Sequence, residues 1–523
     1  MKMKWVASAM MLALSATATA GGLLTNTNQN IVFCRNFARE GAIGIDGVYS
    51  NPAGVALLDT GFHLSLNLQS ARQTRTVTST FGPFNLGVEN GGNSTKKYEG
   101  EANAPLVPSL QLAYNTGKWS FQFGFAVTGG GGKCTFDEGL GSFESNVALL
   151  TKLLMQKYPE MGITGYDVDC YMRGRQYYYG FTGGAAYRIN DNLSVYGGLR
   201  MLYARANYYG YMKNIRVKTS DGTMQNANTY FSSLSTQAAE AAGKAAEAAI
   251  LYTNAGDETN AAKYTALADE YKAQATQLVG LAYATQDVSL NCDEDGWGVA
   301  PIIGVDYKLG NLNLGAKYEF KTSMRLTNVS ANSASADNLA QLSRFKDGNK
   351  VAEDSPALLT FGGQYEFTPK FRAMLGYHLY FDKDATAYGY RQKLLGGNTM
   401  EYLAGMEWDI TKRIQASIGG QRTQYDLTDA YMNDMTFNVS SYALGFGAGV
   451  KITKRMKLNL SYFQCFYDEY DKETNDYNNL SSLVSQLAGQ ETANALVTSG
   501  QLKGSDHFTR TNYAFGLGLD IDF

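Results

Sequence analysis

The C-terminal segment alternates strictly between two kinds of residue, and this pattern constrains the fold more than any other feature. Aromatic and aliphatic side chains occupy every second position, namely Tyr513, Phe515, Leu517, Leu519, Ile521 and Phe523. Asparagine, small and acidic residues alternate with them, namely Asn512, Ala514, Gly516, Gly518, Asp520 and Asp522. Successive side chains of a β-strand point to opposite faces. A strand with one apolar and one polar face is typical of a transmembrane β-barrel.

The same theme repeats from about residue 61 onward. Very short turns join the segments on one side, and long connections join them on the other. We predict strands near 61–76, 105–116, 118–132, 170–189, 192–214, 288–308, 311–328, 355–368, 370–384, 399–410, 413–426, 439–452, 455–470 and 507–523. Fourteen is an even number, as in single-chain bacterial barrels. The predicted fold is therefore all-β, a transmembrane antiparallel barrel over residues 61–523.

Three long connections have helical character, and we expect them to be extracellular. They are insertions near 139–165, 229–285 and 476–503. The first carries apolar residues at helical spacing between Phe143 and Tyr158. The second is alanine-rich and predicts a two-helix hairpin over 231–284, broken near Asn254 to Gly256. The role of this hairpin stays open, because a surface hairpin without a ligand explains it equally well.

The N-terminus predicts export. Lys2 and Lys4 precede a short apolar run, and Ala18-Thr19-Ala20 offers a cleavage site before Gly21. This layout is that of a secretory signal peptide at 1–20, since the apolar run is too short to span a bilayer as a helix. The 56 glycines and 36 tyrosines suit a barrel, and a net charge of −3 does not indicate a nucleic-acid partner.

Catalytic and metal-binding patterns are missing from the sequence, so we expect no enzyme, cofactor or metal. The three histidines, His63, His378 and His507, have no GxSxG motif beside them. The five cysteines lack metal-site spacing; they are Cys34, Cys134, Cys170, Cys292 and Cys465. A bridge between Cys134 and Cys170 could close one loop, but connectivity stays open.

Residues 21–60 do not look like strand and contain the most specific motif. Glu40-Gly41-Ala42-Ile43 is followed by Asp46, and then by Asn51-Pro52-Ala53 just before the first strand. This region resembles the N-terminal hatch of the FadL-type outer-membrane family of long-chain fatty-acid and hydrophobic-compound transporters. The resemblance implies a plug inside the barrel, with Asn51, Pro52, Ala53 and Gly54 forming a gate that faces a gap in the wall.

Four consecutive glycines, Gly129, Gly130, Gly131 and Gly132, lie at the outer end of the third predicted strand. They weaken strand pairing and permit positive φ, so they predict a bulge or kink, although the start of a flexible loop is the alternative. In the FadL family a kink in the third strand opens the wall sideways. The resemblance therefore implies a lateral opening at these glycines.

The function implied is passive uptake of hydrophobic, fatty-acid-like molecules by lateral diffusion into the bacterial outer membrane. A molecule that leaves sideways stays in apolar surroundings and avoids the free-energy cost of about 0.8 kcal/mol for each methylene group exposed to water. A ligand carboxylate would need a lumen cation. The candidates are Arg173, Arg175, Arg200 and Arg205, although barrels commonly line their lumens with arginine. Two alternatives remain: a general diffusion porin, and a FadL-like barrel serving a protein secretion system, which the insert at 231–284 keeps open.

The expected partners follow from the location. They are outer-membrane lipids, a hydrophobic small-molecule ligand, and the barrel assembly machinery, which would read the terminal strand ending in Phe523. We expect a monomer. The identity of the ligand does not follow from the sequence.

Overall fold

A computed structural model describes residues 23, 25, 26, 28–337 and 340–523, and the predicted signal peptide at 1–20 lies outside them. Fourteen long strands form the wall: β1 Gly61–Phe81, β2 Thr95–Asn115, β3 Trp119–Phe136, β4 Ile163–Arg188, β5 Leu193–Thr219, β6 Val288–Leu309, β7 Leu312–Glu319, β8 Leu358–Thr368, β9 Phe371–Tyr380, β10 Thr399–Asp409, β11 Ile414–Gln424, β12 Ser441–Lys451, β13 Met456–Tyr467 and β14 Gly504–Asp522. Each pairs antiparallel with its neighbours, and β14 pairs with both β13 and β1. The predicted closed barrel is confirmed.

The two faces of the wall follow the predicted alternation. On β14, Phe515 and Leu517 are 57% and 47% exposed, whereas Ala514 is 1% exposed and faces the lumen. Exposed aromatic residues gather at the end with the short turns, as in the aromatic girdle of a membrane interface. They include Phe62, Tyr114, Trp119, Tyr307, Phe367 and Trp408.

Several strands continue far beyond the membrane. β4 and β5 contain 26 and 27 residues, whereas about 9–11 residues cross a bilayer. The predicted strand at 311–328 is wrong in its continuity. β7 ends at Glu319, and a separate strand, Arg325–Ser330, pairs with the upper part of β6. Gly296 and Gly298 of β6 leave room for the backbone of residues 323–325, which passes close to them. The alternation of the sequence does not reveal this arrangement.

Helices occupy both the lumen and the loops. Inside the barrel lie α1 Ile31–Arg35 and α2 Gly47–Ser50. The end of the barrel with the long connections carries α3 Gly141–Lys157, the hairpin of α4 Ala227–Asn254 and α5 Glu258–Ala284, α6 Ala334–Asp337, α7 Leu480–Ala488 and α8 Gln490–Thr498. The third predicted helix is thus two helices, because Gly489 has a φ of +88°. No helix within the described ranges is long and apolar enough to cross a membrane.

The five cysteines are free and buried. The bridge considered between Cys134 and Cys170 is wrong for a geometric reason. Cys134 pairs in register with Gly174 of β4, so Cys170 lies four residues further along that strand. Four residues of strand span about 13 Å, beyond the roughly 7 Å between Cα atoms that a disulfide tolerates.

Candidate functional site

Residues 25, 26 and 28–58 lie inside the barrel as a plug, which we call the hatch. The first part of the hatch packs against glycines on the inner face of the wall. A side chain at any of these wall positions would collide with the hatch. A Cβ on Gly376 would meet Glu40, one on Gly405 would meet Asn36, and one on Gly516 would meet Ile31. The wall therefore has no side chains at the points where these hatch side chains approach it. The hatch is an integral part of the interior.

Buried charges tie the hatch to the wall. Arg39 pairs with Asp46 of the hatch at 2.7 Å and with Glu407 of β10 at 2.9 Å. His378 of β9 lies between hatch Glu40 and wall Glu401, at 2.8 Å from each carboxylate. Buried charges are tolerated only when they are paired. Moving the hatch therefore requires these partners to separate or to move together.

The gate residues predicted from the sequence are anchored to the wall near the short turns. Asn51 donates to Asp306 of β6 at 2.6 Å. The carbonyl of Pro52 accepts from Gln122 of β3 at 2.7 Å, and that of Ala53 accepts from Ser194 of β5 at 2.7 Å. Gly54 lies close to the Asn51 side chain.

The four glycines produce a real distortion of β3. Between the pairs Val127–Tyr179 and Gly132–Gln176, β3 uses two more residues than β4 does. Gly130 and Gly132 have φ values of +83° and +70°, which side chains rarely allow. The strand is therefore doubly bulged at this point, as the glycine run predicted.

The bulge coincides with an interruption of the wall. The β2–β3 ladder stops at the pair Ala102–Cys134 and resumes only at Leu110–Phe125. The unpaired stretch of β2 contains Pro105 and Pro108. Proline lacks a backbone N–H, so no donor is left without a partner at these two positions. These two prolines inside a predicted strand were a signal of the gap that the sequence analysis did not use.

The first hatch residues replace the missing strand from the lumen side. The backbone N–H of Asn26 donates to the Thr128 carbonyl at 2.8 Å, and its side chain donates to the carbonyls of Val127 and Gly130. The Val127 N–H donates to the Gln29 side chain at 3.0 Å. Backbone groups in a membrane must be satisfied internally. The residues facing the kink are thus Asn26 and Gln29, which the sequence analysis did not single out.

A cavity of about 510 Å³ runs through this interruption. Its inner end is lined by Phe33 and Phe37 of the hatch and by Phe463 of β13. Its outer end is lined by β2 residues 103–108 and by Tyr177 and Tyr179, whose side chains are on the outward face of β4. Leu106, at the outer end, is 63% exposed. The cavity therefore connects the apolar interior of the barrel with its lipid-facing surface.

A second cavity, of about 540 Å³, lies above the hatch, in the half of the barrel that carries the long connections. Leu23 lines this upper cavity, whereas Asn26, Asn28 and Gln29 line the lower one, so the start of the hatch lies between the two. Five carboxylates and three cations line the upper cavity; they are Glu353, Asp382, Asp434, Asp476 and Asp506, and Arg344, Arg391 and Lys472.

Only one of the four arginine candidates lies in the lumen. Arg200 is buried, pairs with Glu319 at 2.7 Å and covers the Tyr49 ring of the hatch. Arg173, Arg175 and Arg205 fall on the outward face of β4 and β5, because the even-numbered positions of both strands point inward. The prediction that these three side chains face the lumen is wrong, because they occupy the odd-numbered positions, which point outward.

Fold and site together define a class: a transmembrane β-barrel with a plugged lumen and a wall interrupted beside the third strand. No protein-family model and no curated protein sequence matches the chain. Solved structures do match. A Pseudomonas aeruginosa FadL homologue is 12% identical, with 96% of this chain and 100% of that chain covered at a TM-score of 0.58.

Two further solved structures agree with this match. The TodX ΔS2S3 mutant monoaromatic hydrocarbon channel is 14% identical and covers 94% of this chain and 99% of that one, with a TM-score of 0.53. The Pseudomonas putida toluene transporter TodX is 13% identical and covers 98% and 100%, with a TM-score of 0.50. The chain has the FadL-type barrel fold, so the resemblance seen in the sequence is confirmed for the fold.

Proposed function

We propose that the protein is a bacterial outer-membrane channel for passive uptake of hydrophobic small molecules. The observation that carries the proposal is the 510 Å³ cavity through the β2–β3 interruption, whose two ends lie in the apolar interior and on the lipid-facing surface. A molecule entering from outside passes the upper cavity, moves past the start of the hatch and leaves sideways into the outer leaflet. The gate on this route is the contact of Asn26 and Gln29 with the kink, and the anchored segment Asn51–Gly54 holds the other end of the hatch in place.

Lateral exit has a clear physical advantage. Each methylene kept out of water favours the apolar path by about 0.8 kcal/mol, so a hydrophobic molecule gains nothing by crossing an aqueous pore. The solved barrels named for toluene and monoaromatic hydrocarbons share this fold, which supports the same class of cargo here.

The charge of the upper cavity favours uncharged cargo over fatty acids. Carboxylates outnumber cations among its lining residues. Arg344 is already paired with Glu294 and Glu353, and Lys472 donates to the Met432 carbonyl at 2.6 Å. Arg391, the third cation, donates to the carbonyls of Tyr431 and Thr436. A ligand carboxylate would therefore find each of these cations already engaged and would also face the remaining carboxylates. We propose neutral hydrocarbons as the preferred cargo.

Deleting Gly130 and Gly131 tests the route, because it removes the two extra residues of β3 and keeps the inward and outward faces in phase. We expect uptake of a monoaromatic hydrocarbon by vesicles or cells to fall to the level of a strain without the protein. The matched control deletes Gly91 and Gly92, an exposed turn of positive φ outside the wall. Folding is checked by the faster migration of unheated barrels on gels.

The measurement also separates the cargo classes. Normal hydrocarbon uptake by the Gly130–Gly131 deletion would refute lateral exit. Faster uptake of a long-chain fatty acid than of toluene by the unaltered protein would refute the preference for neutral cargo.

A further inference from the structure

A group of basic residues lies on the outward face of β3, β4 and β5, beside the lateral cavity. We call Lys133, Arg173, Arg175 and Arg205 the basic patch. Lys133 pairs across the strands with Arg175, which in turn pairs with Asn207, while Arg205 pairs with Tyr177. Lys133 and Arg205 are exposed, and the two other side chains are partly exposed. No lumen role is open to them.

The height of the patch matches the outer edge of the membrane. From Tyr187, at the periplasmic end of β4, to Arg175 is twelve residues. At about 3.3 Å per residue and a tilt of about 40°, this distance rises roughly 30 Å. That is the thickness of the hydrocarbon core. The patch therefore lies where the lipid headgroups of the outer leaflet begin.

Aromatic side chains directly below the patch support this position. Tyr177, Tyr179 and Tyr203 point outward in a row, with ring centroids 6.0 Å and 6.4 Å apart. Trp297 continues the row on β6 and is 67% exposed. Tyrosine and tryptophan concentrate at the membrane–water interface.

The charges of the patch are poorly balanced by the protein itself. Among the described residues, none of its four side chains forms an ion pair. Arg173 donates to the Asn207 side chain at 2.9 Å and covers the Tyr209 ring. Two carboxylates lie beside the patch on β6: Asp293 accepts from Asn207, and Asp295 is in register with Arg205. Two cations directly opposite each other, Lys133 and Arg175, destabilise a sheet unless an anion joins them.

We propose that the basic patch binds the phosphate groups of a phosphorylated glycolipid of the outer leaflet, of the lipid A type. Guanidinium groups match phosphate oxygens with paired hydrogen bonds, and a cluster of cations at headgroup level attracts anionic lipid. Because Gly132 and Tyr177 line the lateral cavity, the bound lipid stands beside the exit. This inference rests on the proposed outer-membrane location and adds a lipid site to it.

The test is native mass spectrometry of the purified chain in detergent with added lipid A, lipid A stripped of phosphate, or phosphatidylethanolamine. The test variant is K133Q/R175Q/R205Q, and the R175Q single variant is a milder companion. The matched control is K412Q/R413Q/R455Q, which removes the same charges from exposed periplasmic turns. Unheated gel migration verifies that each barrel is folded.

We expect the unaltered chain and the control variant to retain lipid A but not its dephosphorylated form. The triple variant should retain at least about tenfold less lipid A than the unaltered chain does. Equal retention of both forms of lipid A, or equal retention by the triple variant, would overturn the lipid site. Retention is measured without transport, so a channel that carries hydrocarbons but ignores lipid A would refute this inference alone.

Discussion

At the scale of single residues, Glu144 is the best example of a charge that the extracellular cap is built around. This α3 carboxylate is 4% exposed. It accepts hydrogen bonds from Asn90, Tyr98 and Tyr166 at 2.8 Å each and pairs with Lys96 at 3.0 Å. Burial alone would raise its pKa, but Lys96 and the hydrogen bonds outweigh burial and lower the pKa below the ordinary 4.5.

We predict that Glu144→Gln weakens the attachment of α3 by about 2 kcal/mol, because three donors and a cation lose a charged acceptor. The lowered pKa also sets a pH dependence. The contribution of Glu144 is complete above pH 4.5 and is lost as the pH falls through the folded value. Hydrogen exchange of the α3 amides measures both effects.

Glu160→Gln is the control, since Glu160 is exposed beyond the end of the same helix. An α3 whose exchange is equally slow in both variants at pH 7 would contradict a structural role for Glu144.

At the scale of elements, the contact between hatch and wall depends on missing side chains. Strands β7 to β12 and β14 each place at least one glycine beneath hatch residues 31–41, and examples are Gly315, Gly362, Gly376, Gly405 and Gly445. Interiors packed at this density do not absorb an added methyl group without strain. The hatch position is thus determined by the close approach of hatch atoms to glycines of the wall as well as by charge pairs.

We predict that Gly376→Ala loosens the hatch, since the new methyl group would occupy the position of the Glu40 carboxylate that contacts His378. Overpacking of this kind costs about 1–3 kcal/mol. Faster hydrogen exchange of residues 31–42 is the expected result. Gly197→Ala is the control, because its methyl group would meet no atom within 4 Å. Identical exchange in the two variants would show that the wall yields at Gly376.

At the scale of the whole molecule, a single segment, the hatch, both blocks the lumen and covers the side opening. The hatch contacts wall side chains from Ser65 of β1 to Asn459 of β13, and its first residues also cover the kink. A water-filled passage along the axis would need the hatch to leave. The conductance of the full chain therefore separates a plugged barrel from a general diffusion porin.

We predict that removing residues 25–58 converts the barrel into an aqueous pore. A fourteen-stranded lumen is wider than the eight-stranded barrels that side chains fill. We expect steady ion conductance in planar bilayers from the shortened chain and almost no conductance from the full chain. Large steady conductance of the full chain would favour the porin alternative. Unheated gel migration again verifies folding.

The sequence by itself determined the architecture, because alternation and turn spacing are local patterns. It gave the strand number, the helical loops and the kink, since four glycines distort any strand that contains them. It missed the true length of strands such as β4, whose upper part alternates less clearly. It also assigned Arg173, Arg175 and Arg205 to the wrong face, although Arg200 and Arg205 are five positions apart on the uninterrupted strand β5 and must therefore point to opposite faces.

Only the tertiary structure decided how the opening is built. The gap needs β2, β3 and β4 in register, and its cover needs Asn26 and Gln29, which lie about a hundred residues away in sequence from Val127. Asparagine and glutamine are common polar residues, and nothing in their sequence context marks them as partners of a kink. Closure of a barrel brings distant backbone groups together, and a membrane requires each of them to be satisfied. Local patterns do not encode that pairing.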